Sequence, residues 1–80
     1  MNRTITDSEG TQWDVTIGRE SYGMLVLLFF PKAGGGVRKA MLSSSTRIDA
    51  EEEAEAFEEA MLLERLQASV GWEENILESR

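Results

Sequence analysis

Met24-Leu25-Val26-Leu27-Leu28-Phe29-Phe30-Pro31 is the stretch on which the fold turns. Seven apolar residues follow one another and a proline closes the run. The run is far shorter than the ~20 residues a membrane-spanning helix needs. An unbroken apolar stretch of this length reads as a β-strand covered on both faces, which places it centrally in its sheet. Pro31 ends it, because proline has no N–H to donate to a ladder.

Towards the N-terminus, Gly18 to Gly23 reads as a loop, and Gln12 to Ile17 alternates. Trp13, Val15 and Ile17 fall on one face; Gln12, Asp14 and Thr16 fall on the other. Asp7-Ser8-Glu9-Gly10 is a turn sequence, and Arg3-Thr4-Ile5-Thr6 alternates again before it. The pattern predicts a β-hairpin with one buried face. Towards the C-terminus, Lys32-Ala33-Gly34-Gly35-Gly36 is a connector. Val37 to Ser43 reads as another strand, with Val37, Lys39 and Met41 facing one way and Arg38, Ala40 and Leu42 the other. Connections this short favour an antiparallel meander of about four strands over crossovers.

The remainder reads as helical. Asp49 is placed as an N-cap, with Glu52 three residues on completing a capping box. Ala50, Ala54, Phe57 and Met61 form one helical stripe, whereas Leu62, Leu63 and Leu66 lie roughly opposite it at about 100° per residue. One long helix would therefore carry two apolar faces, and a break near residues 60–62 would give two short ones. Gly71 is a plausible stop, with Trp72 folding back onto Leu66. The expected fold is α+β: a single domain over residues 1–72, sheet at 3–43 and helix at 49–70, with the helices packed on one sheet face. Residues 73–80 are an acidic tail, with room for one more turn carrying Ile76 and Leu77.

Eighty residues suffice for one domain with a modest core. The charge is uneven. Residues 1–48 carry six basic and four acidic groups, a balance of +2, whereas residues 49–80 carry two basic and eleven acidic groups, a balance of −9. A chain of net charge −7 repels nucleic-acid phosphates over most of its surface, so nucleic acid is disfavoured as a partner. The polar start, Met1-Asn2-Arg3-Thr4, has no apolar stretch behind it, and the expected location is cytoplasmic, with no membrane association.

The opening Arg3-Thr4-Ile5-Thr6-Asp7, together with Gly10, Trp13 and Val15, resembles the start of small bacterial proteins of uncharacterised function. These begin with a basic residue, a Thr-aromatic pair, an Asp-x-x-Gly turn and a Trp-x-Val strand. The match covers about a fifth of the chain, and Ile5 departs from it where an aromatic residue is expected. The resemblance implies a sheet followed by C-terminal helices and carries no activity with it.

There is no His and no Cys. The commonest general base and metal ligand are therefore missing, as is His-activated nucleophile chemistry. Carboxylates, lysines, Tyr22 and an N-terminal amine remain, and the pairs Glu51/Glu55 and Glu55/Glu59 share helix faces. A glutamate-rich face is ordinarily solvated, and carboxylates along one helix cannot wrap a cation. Gly34-Gly35-Gly36 lacks the Lys-Ser/Thr continuation of a phosphate-binding loop and fits a hairpin connector. Lys32, Arg38, Lys39 and Arg47 could gather into a basic patch beside Trp13, Phe29 and Phe30, but those aromatics are the best core candidates. No catalytic residue, cofactor, metal ion or small-molecule ligand is expected.

The sharper expectation concerns partners. A leucine stripe out of phase with the core face marks an interface, because contiguous apolar patches on monomers usually do. Leu62, Leu63, Leu66 and Trp72 are its candidate residues. The function read from the sequence is a non-catalytic protein-interaction module, self-associating as a homodimer through the helical region or a sheet edge. Two alternatives stand behind it: an acidic regulatory protein that binds a basic protein surface, and a small enzyme using carboxylate, Lys or Tyr chemistry.

Overall fold

The computed structural model describes residues 2–20, 23–44 and 46–72. Its strands are β1 (Asn2–Thr6), β2 (Gln12–Arg19), β3 (Leu25–Pro31), β4 (Arg38–Met41) and β5 (Val70–Gly71). Two helices, α1 (Arg47–Glu55) and α2 (Glu59–Gln67), lie between β4 and β5 in the chain. The five strands form one antiparallel sheet in the order β1-β2-β3-β4-β5, with β3 at its centre. The α+β meander with C-terminal helices is the fold expected from the sequence; β5 is an addition to it.

The β1–β2 turn is built around one side chain. Asp7 Oδ1 accepts the backbone N–H groups of Glu9 and Thr11, both at 2.9 Å, and Oδ2 accepts Trp13 Nε1 at 3.0 Å. Gly10 takes the left-handed conformation, φ 86°, that closes the turn, where a residue with a Cβ would be strained. Pro31 is the last residue of β3, opposite Trp13, a strand-end position that costs no ladder bond.

Ile5, Val15, Ile17, Leu25, Leu27, Phe29 and Leu42 form the sheet side of the core. Ala50, Ala54, Phe57, Leu62 and Leu66 close it from the helical side. The chain breaks at residues 56–58, not 60–62. Ala56 caps α1, Phe57 enters the core between the helices, and Glu58 is extended (φ −80°, ψ 162°) before α2. That break rotates the second stripe back onto the sheet, so both apolar stripes serve one core. Met61, counted in the first stripe, is largely exposed, because the break precedes it.

Two further details differ from the sequence reading. Thr46, not Asp49, is the N-cap of α1: its Oγ1 accepts the Asp49 N–H at 3.2 Å. The helix thus starts three residues earlier, with Asp49 in its first turn, where the dipole favours an acid. Gly71 does not stop a helix. α2 ends at Gln67, and Gly71 pairs with Arg38 in β5. The tail residues Ile76 and Leu77, like Tyr22, lie outside the described residues.

Candidate interaction surface

The helices cover one face of the sheet. The strand alternation fixes what stands on the other. β1 and β2 present Asn2, Thr4, Thr6, Gln12, Asp14 and Thr16, which are polar, as a solvated face requires. β3 breaks the rule, because its outer side chains are Val26, Leu28 and Phe30. Met41 stands opposite Val26, and Val70 lies two strands over, opposite Lys39. Phe30, Met41 and Val70 are 39%, 43% and 47% exposed. The outer face therefore divides into a polar half on β1–β2 and an apolar half on β3–β5. The expectation that β3 is covered on both faces fails at Leu28 and Phe30, since no helix packs on that side.

Gly18 shapes this apolar half. A Cβ built on it would stand 2.4 Å from Leu28 Cδ1 and 2.9 Å from Cγ. Without one, the Leu28 side chain lies down over the Gly18 backbone instead of projecting.

Lys39 sits within the apolar half and is only 4% exposed. Burying a lysine there is costly unless it is paired. Its Nζ forms an ion pair with the Glu20 carboxylate and lies 5.2 Å from the centre of the Trp72 ring. On the polar half, Thr4 Oγ1 donates to Asp14 Oδ1 at 2.9 Å and Lys32 pairs with the same carboxylate at 3.1 Å. The hydrogen bond from Thr4, then that from Lys32, holds the Asp14 carboxyl below its ordinary value. The charges on the outer face are thus matched within it. The acid excess lies on the helical layer: residues 47–67 carry Asp49, Glu51, Glu52, Glu53, Glu55, Glu58, Glu59 and Glu64 against Arg47 and Arg65.

The four residues expected at an interface separate. Leu62 is 0% exposed and Leu66 is buried beside it; both belong to the chain's own core, so neither is presented to a partner. Leu63 is half-buried and packs against that core. Trp72 does not fold onto Leu66. Its backbone N–H donates to the Val37 carbonyl at 2.8 Å, and its ring covers Lys39 at the edge of the apolar half. Phe30, Met41 and Val70 were missed as surface residues. The signal for Phe30 lay in the apolar run itself: seven consecutive apolar residues put three or four on each face, and only one face has helices to cover it.

The four cations considered as a patch are dispersed. Arg38 binds Ser69, Lys39 binds Glu20, Lys32 binds Asp14 and Arg47 binds Glu51. Among the described residues, no three Asp or Glu side chains come together as a metal site, and no helix is long and apolar enough to cross a membrane. Comparison of the chain with protein-family models, with curated proteins and with solved structures finds no match.

Proposed function

We propose that this chain is a non-catalytic protein-interaction module that self-associates face to face through the outer surface of its sheet. The observation that carries the reading is the apolar outer side of β3, where Phe30 is exposed and Leu28 half-buried while Val26 is already covered, continued by the exposed Met41 and Val70. In an antiparallel sheet with one free face, those positions are ordinarily polar.

A second copy is the occupant that suits the surface. The molecule is a slab of 34 × 32 × 17 Å, one helical layer on one sheet. Its broad face exceeds the ~800 Å² per partner that a standard interface buries. Sheet-on-sheet packing at about 10 Å would complete a four-layer sandwich with helices outermost. The charge distribution agrees: the outer face is internally neutral, and pairing through it keeps the two acidic helical layers as far apart as the dimer allows. The alternatives at the sheet edges have less to offer. β5 is two residues long, and on β1 the Thr6 N–H already points to the Glu59 carboxylate.

The test is the oligomeric state, by sedimentation equilibrium, of the parent and two variants. Phe30→Glu is expected to weaken association by about 30-fold or more, the cost of losing a hot-spot aromatic, while circular dichroism stays native. Met61→Glu, on the exposed side of α2, should leave association unchanged. A parent that stays monomeric at millimolar concentration overturns the reading. So does a dimer that Met61→Glu dissociates and Phe30→Glu does not.

A further inference from the structure

On the helical side, between the β1–β2 turn and α2, lies a cleft of about 570 Å³. That is within the size range of small-molecule sites. Its walls include Asp7, Glu9, Trp13, Arg38, Leu63 and Gln67. The Trp13 indole and Leu63 are half-buried against the core and form an apolar wall. The indole is fixed in place, because its Nε1–H is held by Asp7.

Arg38 is the polar anchor. Its Nε donates to Ser69 Oγ at 2.8 Å and its Nη2 to the Ser69 carbonyl at 2.6 Å. Ser69 follows the C-terminus of α2, so these bonds also set a cation at the negative end of that helix. They fix the guanidinium plane and leave Nη1 uncommitted. No carboxylate of the described residues pairs with Arg38; the ion pairs are made by Lys32, Lys39 and Arg47. Arg38 is half-buried and without a carboxylate in a chain with fifteen acidic and eight basic residues, as is Arg3, whose guanidinium donates to the Phe57 carbonyl; of the two, Arg38 is the one that lines the cleft. Asp7, in the same wall, is not bonded to Arg38; its oxygens accept the Glu9 and Thr11 N–H groups and Trp13 Nε1–H.

We infer that this cleft binds a small monocarboxylate with a flat apolar body, the carboxylate on Arg38 and the body against Trp13 and Leu63. The exposed Gln67 amide at the rim offers a further donor. Glu9 and the ionised Asp7, which line the same cleft, repel anions in proportion to their charge, so a phosphate is penalised more than a monocarboxylate. The site is on the opposite side of the sheet from the self-association surface and does not depend on it.

The probe is phenylacetate, followed through the Trp13 indole and Arg38 Nε–H resonances of the labelled protein, with phenylacetamide and inorganic phosphate as controls. Phenylacetate is expected to shift both resonances saturably in the millimolar range. The amide, which lacks the charge, should bind at least about tenfold more weakly, the worth of a charge-assisted hydrogen bond. Gln67→Glu, an exposed change that leaves the core intact, should weaken phenylacetate several-fold by repulsion. Arg38→Gln should abolish the preference for acid over amide if the variant folds. No saturable shift at millimolar phenylacetate, equal binding of acid and amide, or tighter binding of phosphate would each overturn the inference. In those cases Arg38 serves only the C-terminus of α2.

Discussion

Asp7 organises the β1–β2 turn as an acceptor for three donors, and an acceptor of that kind works best ionised. The hydrogen bond from Trp13 leads the groups that hold its carboxyl below the ordinary value of 3.8, with Thr11, Glu9 and Gly10 adding to it against some desolvation. Glu53, in the last turn of α1, behaves alike. Burial raises its carboxyl, but the Ser44 and Ser43 hydroxyls, at 2.7 and 2.8 Å, and the backbone N–H groups of the same two residues outweigh that and keep it low. A carboxyl whose folded pKa is depressed stabilises the fold above its unfolded pKa, and that contribution drains away as pH falls through the window between the two values. Asp7→Ala should therefore lower the melting temperature at neutral pH and blue-shift or broaden the Trp13 emission. The difference from the parent should shrink as pH falls below about 4 and close once Asp7 is protonated in the parent fold. A gap that stays constant down to pH 2 would mean that the turn does not rely on the ionised carboxylate.

At the scale of elements, the two helices show what could and could not be read from the chain. The β1–β2 hairpin and the central place of β3 followed from alternation and an apolar run, signals that depend only on neighbours in sequence. The phase change between Phe57 and Leu62 was equally legible. Its resolution was not, because residues 56–58 contain neither Gly nor Pro; the break is imposed by Phe57 and Leu62 entering one core together. For the same reason the candidate interface could not be located: an apolar stripe reports burial without saying against what. β5 escaped notice because two residues carry no period. Leu62→Ala should cost about 3 kcal/mol, the toll of a cavity under a closed helix pair. Ile48→Ala, at a position 73% exposed on α1, should change stability by less than about 0.5 kcal/mol. Comparable losses at both sites, measured by urea denaturation, would mean that α1 and α2 pack otherwise than described.

At the scale of the whole molecule, charge and apolarity are sorted to opposite sides of a thin slab. An association driven by the outer face of the sheet brings together two chains of net charge −7 and should tighten as salt screens their repulsion. Binding of a basic protein to the acidic helical layer would weaken under the same change. Sedimentation of the chain alone at low and at physiological ionic strength measures the first effect. Self-association that loosens with added salt would point to charge pairing between copies, and away from the apolar face.

The strand order has a kinetic consequence. Each of the first three pairings joins strands that follow one another along the chain, so the sheet can zip from hairpin to hairpin with little loop entropy to overcome. β5 alone must return from a distance, Arg38 and Ser69 being separated by 31 positions in sequence. The Arg38–Ser69 bonds and the β4–β5 ladder then act as a latch set late in folding. Such a latch governs how long the native state persists more than how fast it is reached.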